Sequence, residues 1–168
     1  MDDVNFLRGV TLFCDLEPND LEQLRKSFQI TRFGAGDVIL EQGKANRALH
    51  VVRSGRITVS RQIEEGEVPL CDLVAGQSFG ELSIIEDGVA TARLHAITET
   101  EVMSIAMGDL AAFLRGRPDA AAKFWREVAL ELRRRLVSTN DVVTTYFEMN
   151  RALIDNPTFR QAYAMCSR

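Results

Sequence analysis

Residues 79–92 of the chain read FGELSIIEDGVATA and lie between two runs that resemble strands. The pattern predicts a short loop followed by one helical turn. Gly80 allows a ligand to approach the backbone closely, because glycine has no Cβ and accepts unusual dihedral angles. The carboxylate of Glu81 can accept a hydrogen bond from a hydroxyl group. These features together indicate a segment that can hold a sugar phosphate.

The surrounding sequence predicts a β structure. From about Thr31 to Met107, short runs rich in Val, Ile and Leu are separated by glycines. Residues 64–67, EEGE, predict a hairpin turn. Short strands at this close spacing, about seven or eight of them, predict an antiparallel sandwich or barrel.

Helices are predicted at both ends. Pro18 can begin a short amphipathic helix, since proline suits the first helical position. Neither proline nor glycine occurs from Asp119 to Asn156, so one long helix is predicted from Asp119 to about Ile154. At ~1.5 Å per residue this helix is ~50 Å long, which exceeds what the predicted barrel can cover.

The long helix carries a seam with spacings of three and four residues, which is typical of a coiled coil. The seam predicts a parallel homodimer; the alternative is a helix packed wholly on its own domain. The neighbouring run at 133–135, RRR, is interpreted as a solvated face rather than a nucleic-acid patch. The seam residues are Ala129, Leu132, Leu136, Thr139, Val143, Tyr146 and Asn150.

The composition is that of an ordinary globular protein, with 46% hydrophobic and 26% charged residues. A net charge of −4 does not indicate general affinity for nucleic acids. The three cysteines and two histidines lie far apart and have no metal-ligand spacing, so no metal site is predicted. No membrane span or signal peptide is recognised, and a cytoplasmic location is expected.

In their order, these parts resemble the cyclic-nucleotide-binding domain family, of the catabolite-activator and kinase-regulatory type. The resemblance covers about Leu12 to Val143 and rests on the FGELS run at 79–83, the FGAGDVI run at 33–39 and the glycines between them. It implies a mainly β fold with flanking helices. The expected core is an eight-stranded antiparallel β jelly roll, with a short N-terminal helix and a long C-terminal helix.

The resemblance also implies an organisation along the chain. Residues 1–30 form an N-terminal helical segment, and residues 31–110 form the jelly roll. A phosphate-binding cassette lies at 79–92 within that roll. Residues 111–155 supply a hinge helix and the long dimerisation helix, and residues 156–168 form a short tail.

The family's binding residues can be matched position by position. Glu81 corresponds to the carboxylate that accepts the ribose 2′-hydroxyl; its alternative role is a charge at a helix N-terminus. Gly80 and Leu82 correspond to positions whose backbone N–H groups face ribose and phosphate, and Thr91 to a hydroxyl that bonds the phosphate. The predicted ligand-binding residues are Phe79, Gly80, Glu81, Leu82, Ser83, Ala90, Thr91, Ala92, Arg93, Thr139 and Asn140.

One position departs from the family's pattern. Ala90 stands where the family places the arginine that clamps the phosphate, and a buried phosphate needs a compensating charge. Arg93 is close enough in sequence to reach back, but strand alternation places it beside His95, opposite Ala92. The alternative role for Arg93 is a surface or interface arginine.

Two residues of the long helix match another part of the site. In catabolite-activator-type regulators a Thr-Ser pair on this helix contacts the adenine, and Thr139 and Asn140 take those positions here. Thr139 also lies in the predicted dimer seam, where a polar residue can set the register. Both roles remain open for Thr139.

The sequence therefore predicts a ligand-sensing regulatory domain for cyclic AMP or cyclic GMP, whose long helix moves on binding. The alternative is a jelly-roll interaction and dimerisation module that has lost nucleotide binding because of Ala90. The eleven residues after Pro157 are too few for a winged helix, so DNA binding by this chain is not expected. No catalytic constellation stands out, so an enzyme is not predicted and no cofactor is expected.

Overall fold

The computed structural model describes residues 2–81 and 88–157, apart from the side chains at 153 and 154. Its helices are α1 Asp3–Arg8, a 3₁₀ helix Thr11–Phe13, α2 Pro18–Arg25, α3 Met107–Arg115 and α4 Pro118–Asp155. Its strands are β1 Gln29–Phe33, β2 Val38–Leu40, β3 Ala48–Ser54, β4 Arg56–Ile63, β5 Gly66–Val74, β6 Ser78–Phe79, β7 Arg93–Ala96 and β8 Thr100–Ala106.

The element boundaries follow local sequence signals. Both Pro18 and Pro118 occupy the first position of a helix, where their missing N–H group is no loss. The predicted turn at 64–67 is a hairpin in which β4 ends at Ile63 and β5 begins at Gly66. The first strand begins at Gln29, two residues earlier than the apolar pattern indicated.

The eight strands of the described region form two four-stranded antiparallel sheets. One sheet has the order β1-β8-β3-β6 and the other the order β2-β7-β4-β5. Strands that are distant in sequence are therefore neighbours, as in the pairing of Thr31 with Val102. This arrangement confirms the predicted jelly roll, with helices before and after it in the chain.

An apolar cluster joins the two sheets. Its members are less than one-tenth exposed and come from strands of both sheets and from the end of the cassette. Two residues of the predicted binding site are among them, which ties both ends of the cassette to the core of the roll. The cluster consists of Val52, Ile57, Leu73, Phe79, Ala92, Leu94 and Val102.

A second apolar region joins the N-terminal helices to the beginning of α4. Phe13 is fully buried, meets Phe28 edge to face with ring centroids 5.8 Å apart, and stacks on Phe124 at 5.9 Å. Lys123 also donates to Glu17 at 2.7 Å. Residues near the N-terminus and at the beginning of α4 thus pack against each other.

The chain divides into two compact units, Met1–Val128 and Ala129–Arg168. The second unit contains the larger part of α4, and many of the apolar side chains described there are exposed. No helix within the described residues is both long and apolar enough to cross a membrane. The exposed large apolar residues of this unit are Leu136, Val137, Val142, Val143, Tyr146, Phe147 and Met149.

Candidate functional site

The near end of the cassette is tightly packed. Phe79 is 4% exposed, and its ring stacks on the imidazole of His50 with centroids 4.8 Å apart. Gly80 follows with a φ of +83°. A Cβ at this position would lie 2.6 Å from Nδ2 of Asn46 and 2.7 Å from the carbonyl oxygen of Ala48. Both the dihedral angle and the close approach therefore require glycine.

The far end of the cassette is held by the loop between β2 and β3. The Ala90 N–H donates to the carbonyl of Lys44 at 2.7 Å, and the Gly43 N–H donates to the carbonyl of Ala90 at 2.8 Å. The Asn46 N–H donates to the carbonyl of Gly88 at 3.2 Å. Ala90 is thus fixed through both of its backbone groups, and the residue is 8% exposed.

Glu81 lies directly after the strained turn at Gly80 and is 3% exposed. A buried carboxylate is a strong acceptor for ligand hydroxyl groups, because little water competes for its oxygens. Leu82 and Ser83, the next two predicted binding residues, lie outside the described residues. Their roles toward ribose and phosphate stay predictions.

Thr91 and Ala92 directly precede β7 and differ in burial. Thr91 is exposed, so its hydroxyl is accessible to a ligand from solvent. Ala92 is 8% exposed and belongs to the cluster between the sheets. The small side chain at position 92 is thus explained by core packing alone.

Arg93 is held by two carboxylates. Its Nε lies 3.5 Å from Oε2 of Glu41, and its Nη1 lies 3.2 Å from Oε2 of Glu67. The Ser60 hydroxyl also donates to Glu67. This hydrogen bond and, after it, the charge of Arg93 lower the pKa of Glu67 against the opposing effect of burial. The guanidinium is therefore engaged within the protein and supports the role of a structural surface arginine.

Thr139 and Asn140 belong to the second unit and are exposed on α4. The Thr139 hydroxyl donates to the carbonyl of Arg135 at 2.8 Å, and the Asn140 carbonyl accepts from the Thr144 hydroxyl at 2.9 Å. Both contacts lie within the helix. The predicted adenine contact of these residues stays a prediction.

Two residues next to the cassette were not predicted from the sequence. Asn46 is 5% exposed and adjoins both ends of the cassette. His50 lies in β3 within the run Leu49–Val52, where every neighbour is apolar. An isolated polar residue in a buried strand must find hydrogen-bond partners, and this was the available signal. Nothing in the sequence indicated which partners it has.

Comparison with known proteins identifies the class. The family described as "Cyclic nucleotide-binding domain" matches residues 30–117, which include the roll and the cassette. The chain belongs to this family. The family resemblance and the fold implied by the sequence are thereby confirmed.

The relatives include bacterial transcription regulators. The chain is 27% identical to the CRP-like cAMP-activated global transcriptional regulator of Mycobacterium tuberculosis over 146 residues, 86% of this chain and 64% of that protein. It is 31% identical to the cyclic AMP receptor protein of Thermus thermophilus over 134 residues, 75% of this chain and 62% of that protein. The chain thus spans somewhat less than two thirds of the length of these relatives.

A solved structure confirms the likeness. The N-terminal domain of a transcriptional regulator from Streptomyces coelicolor superposes with a TM-score of 0.69 and 32% identity. The match covers 82% of this chain and 94% of that domain.

Within residues 2–81 and 88–157, no group of three or more His, Cys, Asp or Glu side chains is placed to hold a metal ion.

Proposed function

We propose that this chain is a regulatory domain that binds cyclic AMP or cyclic GMP in the cassette at residues 79–92. The observation that carries the proposal is the placement of Glu81. Glu81 is 3% exposed and follows the turn that only glycine can make at position 80. Family membership supports the ligand class, and the names of the relatives support a regulatory role.

In this proposal Glu81 accepts the ribose 2′-hydroxyl. The backbone N–H groups at Gly80 and Leu82 face the ribose and the phosphate, and the hydroxyl of Thr91 binds the phosphate. Thr139 and Asn140 contact the base, and movement of α4 transmits the signal. Ligand binding can shift the equilibrium between two positions of the helix only by the difference in its affinity for the two states.

Calorimetric titration of the chain with cyclic AMP and with cyclic GMP tests the proposal. We expect saturable binding of at least one nucleotide. Replacing Glu81 by glutamine should lower the affinity at least about tenfold, because a hydrogen bond to a charged group contributes about 1.5–3 kcal/mol. The matched control is Glu64→Gln at the exposed hairpin tip, which should leave the affinity unchanged.

A chain that releases no heat with either nucleotide would instead support the second candidate function. That function is a jelly-roll interaction and dimerisation module without a ligand. Two observations favour it: position 90 is alanine, and the nearby Arg93 is paired with Glu41 and Glu67.

Arg93→Ala separates the two roles of this arginine. Because its guanidinium is already paired, we expect the nucleotide affinity to change by less than about threefold. The free energy of unfolding should fall by about 1 kcal/mol, as for partly exposed ion pairs. Titration and urea unfolding measure the two quantities. Complete loss of binding with an unchanged stability would instead establish Arg93 as the phosphate clamp.

We also propose that α4 mediates a parallel homodimer through the seam from Ala129 to Asn150. Its exposed apolar residues support this assignment, since exposed apolar stripes mark interaction surfaces. Val143→Glu should weaken the dimer at least about tenfold, because a charge in the seam of a coiled coil is strongly unfavourable.

Val137→Glu is the matched control for the dimer. Val137 is 47% exposed and Val143 is 46% exposed, but only Val143 lies in the seam. Sedimentation over a range of concentrations should show a monomer for the Val143 variant and a dimer for the control. A wild-type chain that stays monomeric at every concentration would contradict the seam.

A non-enzymatic role in the cytoplasm is part of the same proposal. The transcription regulators among the relatives support it. That this chain does not itself contact DNA stays a prediction.

A further inference from the structure

One residue, Asn46, adjoins both ends of the cassette. Its backbone N–H donates to the carbonyl of Gly88 at the far end. At the near end, its side-chain Nδ2 lies beside Gly80: a Cβ added at position 80 would be only 2.6 Å from it. The separation of the two ends therefore depends on where Asn46 is held.

The Asn46 side chain is held by its neighbours. Its Nδ2 donates to the carbonyl of Ala48 at 3.0 Å, and its Oδ1 accepts from the N–H of Ala48 at 3.3 Å. Nε2 of His50 lies 3.1 Å from the same Oδ1. These contacts agree on the orientation of the amide, with the oxygen toward the imidazole.

The tautomer of His50 follows from its burial and from this orientation of the amide. Burial lowers the pKa of His50 to about 4, so the ring is neutral at neutral pH and has one N–H. Since Oδ1 of Asn46 only accepts, that N–H is on Nε2. Nδ1 then accepts from the Ser104 hydroxyl, 2.7 Å away. The hydrogen bonds thus run in one direction, from Ser104 through His50 to Asn46.

This series of hydrogen bonds begins in the centre of a sheet. Ser104 lies in β8, directly opposite His50 in β3, and His50 is paired in turn with Phe79 in β6. The imidazole and the Phe79 ring are stacked with an angle of 13° between their planes. His50 is therefore fixed by strand pairing, by stacking and by hydrogen bonds at opposite edges of its ring.

We infer that Ser104, His50 and Asn46 form a positioning relay, which sets the separation of the two ends of the cassette. Packing alone would be met by an apolar side chain at position 50. A buried polar group is unfavourable unless its hydrogen bonds are made, and here they lead to the residue that joins the ends. The relay also determines the affinity for the nucleotide, an inference that rests on the proposed function.

Amide hydrogen exchange on the full chain tests the relay without any ligand. The probes are the N–H groups of Asn46 and Ala90, which bond across the far end of the cassette. The control amides are Gly36 and Ala96, which form a similar pair between a loop and β7. His50→Leu keeps an apolar contact with Phe79 and removes both hydrogen bonds.

In the His50→Leu variant we expect exchange at Asn46 and Ala90 to be at least about tenfold faster, with Gly36 and Ala96 unchanged, because the opening is local. His50→Gln retains an N–H that can reach Asn46, and it should restore most of the protection. Unchanged exchange at the probes would overturn the inference. So would acceleration at all four amides, or no restoration by glutamine, since either would reduce His50 to a packing role.

Ser104→Ala provides a second variant in case His50→Leu does not fold. It removes only the first donor of the relay, and we expect about threefold faster exchange at the same two probes. No change at these probes in this variant would count against the relay in the same way.

Titration with cyclic AMP adds a readout that separates this inference from the proposed function. If the wild type binds, His50→Leu should weaken binding at least about tenfold and His50→Gln by less than about threefold. Equal affinities in all three proteins would overturn the link to binding. If the wild type does not bind, the proposed function fails, and the exchange data still decide whether the relay holds the cassette.

Discussion

Replacing Ala90 by arginine is expected to strengthen the binding of cyclic AMP at least about tenfold. A guanidinium can make two charge-assisted hydrogen bonds to one phosphate, and each 1.4 kcal/mol of added binding energy corresponds to about tenfold in affinity. The backbone at position 90 is already fixed by hydrogen bonds to Gly43 and Lys44. The new side chain would therefore begin from a defined position at the far end of the cassette.

Ala90→Gln is the matched control, because it adds a polar side chain of intermediate length without the charge. Calorimetry should show the gain for arginine and little gain for glutamine. Because Ala90 is 8% exposed, thermal unfolding should be measured in parallel to verify that both variants fold. If neither substitution increases the affinity, position 90 does not face the phosphate and the assignment of the cassette is wrong.

Replacing Gly55 by alanine is expected to lower the free energy of unfolding by about 3 kcal/mol or more. Gly55 makes the tight turn between β3 and β4 with a φ of +89°. An added Cβ would lie 2.4 Å from the carbonyl oxygen of Glu99 and 2.8 Å from Cα of Thr100. Backbone atoms cannot move aside as a flexible side chain can, so the strain of the dihedral and the steric overlap add.

Gly36→Ala separates these two effects. Gly36 has a similar φ of +91°, but nothing lies within 4 Å of an added Cβ. We expect this variant to lose only about 1–2 kcal/mol, the cost of a left-handed conformation for a residue with a Cβ. Urea unfolding compares the two directly. Equal losses would show that the crowding at Gly55 is relieved by a movement of the β7–β8 loop.

Local sequence patterns predicted much of the fold. The start of α2 was marked by Pro18 and the hairpin between β4 and β5 by the turn at 64–67, because proline and turn residues act on the backbone next to them. The long helix followed from the absence of breakers after Pro118. The jelly roll was implied by the resemblance, and the pairing of its strands came only from the structure, since apolar alternation shows which face is buried but not which strand lies beside it.

The cassette was predicted in part. Its position is predicted from the order of Gly80, Glu81 and Thr91, because a turn and its polar groups are encoded within a few residues. The ion pairs of Arg93 with Glu41 and Glu67 could not be predicted in this way. They join residues that are 52 and 26 positions apart in the chain, and only strand pairing brings them together.

The ion pairs near the N-terminus were likewise not predictable from the sequence. Asp3 binds both Arg25 and Arg53, and Arg53 also binds Glu101. Burial opposes the ionisation of Asp3, but the hydrogen bonds from these two arginines outweigh it and lower the pKa of Asp3. The sequence predicted a helix near this end, yet it did not show that an acidic residue would join α1 to α2 and β3.

The sequence by itself determined the class of fold, and it predicted the position of the cassette and the departure from the family's arginine at position 90. These depend on residue identity and on spacing along the chain. The tertiary structure decided which side chains occupy the surroundings of the cassette: His50 and Asn46 at its ends, and two carboxylates on Arg93. Contacts between distant residues depend on how the two sheets close on each other, and that is a property of the folded chain as a whole.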